Sequence, residues 1–308
     1  MSTATGPAIR VASPTEARNP RTLDIDCLPT PALLALLHAE DAQVPAAVGA
    51  ALPALAAAVD LAVATLRAGG RVHYFGAGSS GRFGVLDAAE VPPTYGVPTD
   101  WFVAHLAGGA TAMTGAVENI EDHLEDGRIA AAEVRAGDLA VGLTASGRTP
   151  YVAGALRAAR RQAAATVLVS GNTAAPLAEL ADVHIAVETG PEAVKGSTRM
   201  KAGTAQKVVL HTLSTATMIR LGRTYSNLMV EVIATNAKLR GRVLSTLMDA
   251  TGVDEQTGQA VLAEAGGDLK VAIVAILAHI DTRTARVRLR DAGGRVRDAL
   301  NRPPRVTA

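Results

Sequence analysis

Two turns rich in glycine and hydroxyl groups are the places where this chain could do chemistry. The first, Gly76-Ala-Gly-Ser-Ser-Gly-Arg82, satisfies G-x-G-x-x-G between a predicted strand and a predicted helix. The second, Ala145-Ser-Gly-Arg-Thr-Pro-Tyr151, also follows a buried-type strand and precedes a helix. Amides at a helix N-terminus carry partial positive charge and hydroxyls add donors, so each turn could cradle an anion. The candidates for holding a phosphate are Ser79, Ser80, Gly81 and Arg82 in the first turn, and Ser146, Gly147, Arg148 and Thr149 in the second. A dinucleotide is the other ligand such a turn can take. Ser79 and Ser80 stand where a dinucleotide turn carries small apolar filler. Asp100, about 20 residues on, opens the next strand instead of closing it, the wrong end to meet a ribose. Taken singly, either turn reads as an ordinary helix cap. Two of them at equivalent positions favour a sugar phosphate.

Carboxylates and cations supply the rest. Glu90 falls at the end of a helix predicted to stop at Pro92-Pro93. The negative end of the helix dipole and the flanking Ala89 and Val91 disfavour a bare carboxylate there, a setting that suits a general acid. A plain helix-end glutamate in solvent is the competing reading. Glu121 belongs to an acidic run with Glu118, Asp122, Glu125 and Asp126, and composition alone makes that run a solvated face. Arg199 and Lys201 open a helix, where cations oppose the dipole. Either they bind an anion or they pair with a nearby acid. No histidine has metal-ligand spacing, and His73, His105 and His184 fall in predicted strands as core residues. Neither a G-K-[ST] phosphate loop nor a G-x-S-x-G nucleophile turn occurs. Acid/base chemistry without metal or cofactor is the expectation.

Composition bounds the partners. The 308 residues are 48% hydrophobic and 19% charged with a net charge of +1, enough for a core and without the field that holds a nucleic acid. One cysteine, Cys27, excludes an intrachain disulfide framework. With 3% aromatic residues, the ligand is held by small polar groups and amides rather than ring faces. No apolar run reaches membrane-span length and no signal peptide is evident, so a cytoplasmic protein is expected.

The elements that must position these residues follow from periodicity. Val48, Leu52, Leu55, Val59, Ala62 and Leu66 share a helical face that Pro53 divides into two helices. Short apolar runs at 71–75, 101–106, 139–144, 166–170 and 183–187 alternate with helical stretches ending near 90, 135, 162 and 181. That alternation predicts an α/β fold, a mostly parallel sheet with helices on both faces. After Gly196 the chain reads as helical. Leu210, Leu213, Thr217 and Leu221 form one face, Leu228, Val232, Thr235 and Leu239 another, and both either form a dimer surface or pack only within one chain. Asp254 and Asp268 cap short helices of a small C-terminal bundle. The implied organisation is a flexible tail (1–20), a helical arm (21–54), the sugar-phosphate domain (55–222), a connecting helix (223–244) and a C-terminal helical region (245–308).

The two turns together resemble those of a sugar isomerase (SIS) domain. Leu86-Asp-Ala-Ala-Glu-Val-Pro-Pro-Thr-Tyr-Gly96, Gly196-Ser-Thr-Arg-Met-Lys-Ala-Gly-Thr-Ala-Gln-Lys207, Thr15-Glu-Ala-Arg-Asn19 and Asn227-Leu-Met-Val230 closely resemble the N-acetylmuramic acid 6-phosphate etherase family. The resemblance runs from about Thr15 to the C-terminal helices. It implies release of D-lactate from a phosphorylated amino sugar, with Glu90 as the acid and Glu121 as the second carboxylate. It places Ser197, Arg199 and Lys201 among the substrate-binding residues and implies a homodimer whose site draws on both subunits. The C-terminal region resembles a UBA-like module. The family's usual Ala-Ser-Glu-Cys is here Ala88-Ala89-Glu90-Val91, and its Glu-Gly-Ala-Glu-Asp is Glu118-Asn-Ile-Glu-Asp122. An aldose–ketose sugar phosphate isomerase and a non-catalytic sugar-phosphate sensor share the loops and stand as alternatives.

Overall fold

The computed structural model describes residues 13–232 and 237–301. Three 3-10 turns, Pro14–Glu16, Pro20–Thr22 and Ile25–Cys27, lead into helices α1 (Thr30–Asp41), α2 (Val44–Ala50) and α3 (Leu52–Arg67). Pro45 and Pro53 each sit in the first turn of a helix, where no intrahelical donor is lost. Strand β1 (Val72–Gly76), helix α4 (Gly78–Tyr95), strand β2 (Phe102–Leu106) and the short helices α5 (Thr111–Thr114) and α6 (Leu124–Ala130) follow. Then come β3 (Leu139–Thr144), α7 (Pro150–Arg161), β4 (Ala165–Ser170), β5 (Val183–Ala186) and α8 (Lys201–Arg220). The chain closes with a hairpin of β6 (Thr224–Tyr225) and β7 (Leu228–Met229), and helices α9 (Ala237–Thr251), α10 (Glu255–Glu264), α11 (Leu269–Leu277), α12 (Thr282–Asp291) and α13 (Val296–Asn301).

Two compact units result, Met1–Asp87 with Phe102–Leu213, and Ala88–Trp101 with Ser214–Ala308. The first holds a five-stranded sheet of order β2-β1-β3-β4-β5, parallel at every pairing. Adjacent side chains on a strand point to opposite faces. Phe75, Ala140 and Leu168 accordingly join Val152, Ala155, Leu156 and Ala159 of α7 in one buried cluster. Tyr74 faces α4 instead, and its hydroxyl donates to Asp87 at 2.8 Å. Helices therefore cover both faces, as the alternation predicts. The second unit has its own core, with Val243, Leu247, Leu269, Ile273, Val274, Ala285, Leu289 and Val296 at its centre. Asp254 and Asp268 cap α10 and α11 by accepting the amides of Thr257 and Val271.

The structure corrects four expectations. Helix α4 does not stop at Pro92-Pro93 but runs through both to Tyr95, and Gly96 at φ 59° ends it. The Thr94 hydroxyl donates to the Glu90 carbonyl at 2.7 Å in that last turn. The acidic stretch 112–135 is not one helix: Asn119, at φ 62°, and Gly115 break it into short turns. The region read as a connecting helix at 223–244 opens as the β6–β7 hairpin around Ser226 at φ 53°. Tyr225, Leu228 and Val232 reach the C-terminal core from that hairpin, which explains why their apolar spacing mimicked a helical face; Thr235 lies outside the described residues. Finally, the part of the tail at 13–20 that is described is folded, with Thr15 and Asn19 buried. Leu210, Leu213 and Thr217 of α8 are fully buried within the one chain, so that face is not open to a second copy.

Candidate functional site

Strands β1 and β3 are adjacent and parallel, with Gly76 in register with Leu143, so both hydroxyl-rich turns leave the sheet at the same edge. They flank the point where strand order reverses, where ligands of open α/β sheets bind. Ser79, Ser80 and Gly81 form the first turn of α4; the Gly81 amide donates to the Ala77 carbonyl at 3.2 Å, while those of Ser79 and Ser80 have no carbonyl four residues back within the helix. The turn is shaped by close approach. A Cβ on Gly81 would lie 2.4 Å from the Gly76 carbonyl oxygen and 2.5 Å from Leu106 Cδ1, so only glycine fits there. The Arg82 guanidinium reaches across to the segment after β2, donating to the carbonyls of Ala112 at 2.9 Å and Gly115 at 2.8 Å.

The second turn is braced more heavily. Gly147 is left-handed at φ 73°, and a Cβ there would lie 2.3 Å from Ala175 Cβ. The hydroxyls of Thr144 and Thr149 are 2.7 Å apart, and Thr144 also accepts the Gly147 amide. Buried Asn172 donates to the Ser146 carbonyl at 3.2 Å. The turn is thus held from the segment after β4, leaving the side chains of Ser146 half-buried and Arg148 exposed.

The segment after β5 comes to the same edge. Gly203 in the first turn of α8 lies against Phe83 of α4, 3.1 Å from ring to built Cβ. Just before it, Ser197 is half-buried and Arg199 exposed. Lys201 differs from both. It is fully buried, and its Nζ donates to Glu40 Oε2 at 2.7 Å, so of the two roles open to it the structure shows pairing with an acid. Glu40 also takes Arg21 Nε at 2.6 Å and Asn19 Nδ2 at 2.8 Å. Arg21 above all, with Lys201 and Asn19, pulls the Glu40 carboxyl down to about 2. Glu192 accepts the amides of Lys201 and Ala202, neutralising the start of α8, while burial pushes its own carboxyl up. Thr189 Oγ1 and Gln206 Nε2, flanking this stretch, are buried without a hydrogen-bond partner among the described residues.

The two glutamates stand apart from each other in kind. Glu121 lies in the 3-10 turn Ile120–Asp122, which packs on α7, the helix that the 145–149 turn opens. Its side chain is exposed. Glu90 is exposed as well, beside exposed Ala89, so the apolar surrounding foreseen for it is absent on that side. Nor does it close its helix, which continues to Tyr95. Along α4, Glu90 stands ten positions after Ser80, about 15 Å of helix rise.

Comparison with known proteins decides the family. Residues 54–160 match the glucokinase regulatory protein N-terminal SIS domain, and residues 112–216 match the SIS domain. An N-acetylmuramic acid 6-phosphate etherase from Thermobifida fusca is 58% identical over 89% of this chain and 90% of its own length. The enzyme of the same name from Serratia proteamaculans is 48% identical over 93% of this chain and 97% of its own. The chain belongs to the N-acetylmuramic acid 6-phosphate etherase family. Among solved structures, a phosphoheptose isomerase from Francisella tularensis aligns at a TM-score of 0.47 and 15% identity, covering 62% of this chain and all of the other. That likeness is too distant to say anything of function.

In this etherase-family chain the residues that escaped sequence reading are the braces: Thr144, Asn172, Asn19, Glu40 and Glu192. Each is an ordinary polar residue in sequence, and only folding shows it buried with partners up to 172 residues away. Among the described residues no group of three or more His, Cys, Asp or Glu could hold a metal ion, and no single helix is long and apolar enough to cross a membrane.

Proposed function

We propose that this chain cleaves the D-lactyl ether of N-acetylmuramate 6-phosphate, giving N-acetylglucosamine 6-phosphate and D-lactate, in recycling of cell-wall amino sugars. The kinship across nine-tenths of the chain carries this reading. The phosphate sits on the first-turn amides of α4 and the 146–149 turn, with the hydroxyls of Ser79, Ser80, Ser146 and Thr149 completing the cradle. Ser197 and Arg199 hold the substrate's carboxylate, where a guanidinium fork is apt. Lys201 is left out of the ligand set because Glu40 occupies it.

The reaction is an elimination followed by hydration. One carboxylate removes the C2 proton, the C3–O bond breaks, and the departing lactyl oxygen takes a proton from the other carboxyl group. Water then adds its hydroxyl to C3 and a proton returns to C2. Glu90 and Glu121 carry these proton transfers. Glu90 serves the site of a second copy in a homodimer. A phosphorylated sugar does not cross membranes unaided, which supports a cytoplasmic enzyme.

Incubation of the purified protein with N-acetylmuramate 6-phosphate should release D-lactate and N-acetylglucosamine 6-phosphate in equal amounts. Interconversion of aldose and ketose phosphates without lactate would instead make it an isomerase. Binding without turnover would make it a sensor.

A further inference from the structure

Three residues near the N-terminus, Asn19, Thr22 and Glu40, reach the stretch around Ser197 and Arg199. Asn19 Nδ2 donates to the Pro191 carbonyl at 3.3 Å, and the Thr22 hydroxyl donates to the Ala193 carbonyl at 2.8 Å. Arg21 and Asn19 hold Glu40, and Glu40 holds Lys201. The chain is therefore clamped at 191–193 and again at 201, and the glycine-containing span between is exposed at 194–196 and at Arg199 and half-buried at Ser197, Thr198 and Met200. That span includes Val194, 56% exposed, and Gly196 at φ 76°. Stability alone does not account for the clamp, because a buried ion pair can often be replaced by apolar residues of like size without loss. What such a pair fixes is geometry: a buried ammonium accepts only the position in which its carboxylate meets it.

We infer that the buried Glu40–Lys201 pair, with Asn19 and Thr22, is a positioning device that fixes residues 194–200 so that Ser197 and Arg199 meet the substrate's carboxylate. The inference rests on the ligand assignment proposed above. Glu40 and Lys201 touch no substrate in this scheme; they act through the segment between the clamps. A neutral site lacking the pair would fold and still turn over, but would hold its substrate loosely.

The test is the double variant Glu40→Leu/Lys201→Met, which removes both charges and keeps the volume. Arg21 and Asn19 also lose Glu40 as an acceptor, so its unfolding midpoint in urea should fall while the fold is retained. Amide exchange at 194–200 should quicken about tenfold, and KM should rise about tenfold with kcat within about threefold. Thr22→Val, which deletes a single hydrogen bond, should shift exchange and KM in the same direction by less, and it serves should the double variant not fold. Unchanged exchange at 194–200, or an unchanged KM, in a folded variant overturns the inference. Exchange is read on the free protein and needs no turnover. Failure to release D-lactate would therefore sink the proposed reaction while leaving the clamp decided on its own readout.

Discussion

The histidine pair at the β1–β2 edge should make the sheet sensitive to mild acid. His73 Nδ1 and His105 Nε2 are 3.0 Å apart, and the His105 ring stacks on Phe75 at 4.4 Å between centroids. Burial, then the charge His73 would carry, pushes the His105 imidazole down to about 4. Asp138 and Glu133 lie at 3.4 and 3.8 Å from the two rings, and Arg71 is close by, so only Glu133 offsets the shift at His105. Burial lowers His73 in the same direction.

An unfolded histidine titrates near 6.5, so between that value and 4 the unfolded chain binds a proton that the folded chain refuses. Stability is then complete above the upper value and falls as the pH drops through the window. For His105 alone the loss between pH 8 and pH 5 is about 2 kcal/mol. Urea unfolding followed by circular dichroism, repeated across that range, should show this slope. His105→Gln should flatten it by about 2 kcal/mol whatever its effect on stability at pH 8, because glutamine does not titrate. The same slope in both proteins, or none in either, would refute the account.

Two further substitutions probe the turn and the bundle. Gly147→Ala forces a Cβ to within 2.3 Å of Ala175 in a left-handed backbone. It should cost about 2 to 4 kcal/mol, read by urea unfolding, and should weaken sugar-phosphate binding in calorimetry. Asp268→Ala removes the carboxylate that accepts the Val271 amide at 3.1 Å and should lower the stability of the C-terminal unit by about 1 kcal/mol, measured by amide exchange in α11.

The sheet was legible because its strands are short apolar runs punctuated by glycine turns, and the turns at 76–82 and 145–149 announce themselves by composition. Their convergence followed from parallel pairing alone. Elsewhere local rules misled. Two prolines usually end a helix, yet α4 passes through Pro92 and Pro93 and stops only where Gly96 can turn left-handed, pressed against the Glu231 carbonyl. The period of four at Leu228 and Val232 was real, but a hairpin can present the same residues to a core. The N-terminal stretch looked like a tail because its contacts lie with residues 191–201, and no local pattern encodes a partner so far along the chain.

The placement of Glu90 yields a test that distinguishes its use within one chain from its use across two. In the proposed homodimer the Glu90 of one subunit, ten positions along the helix from its own Ser80, works with the phosphate turn of the other. Glu90→Gln should leave the fold intact, since the side chain is exposed, and abolish lactate release. Ser146→Asp, which sets a negative charge in the phosphate turn, should abolish it as well. Equal amounts of the two inactive proteins, dissociated and allowed to exchange subunits, give mixed dimers in half the population. Each mixed dimer then holds one site with an intact turn from one chain and an intact Glu90 from the other. Activity should return to about one quarter of the unaltered protein's. Were Glu90 to act on the turn of its own chain, every site in the mixture would lack one group or the other, and no lactate would appear.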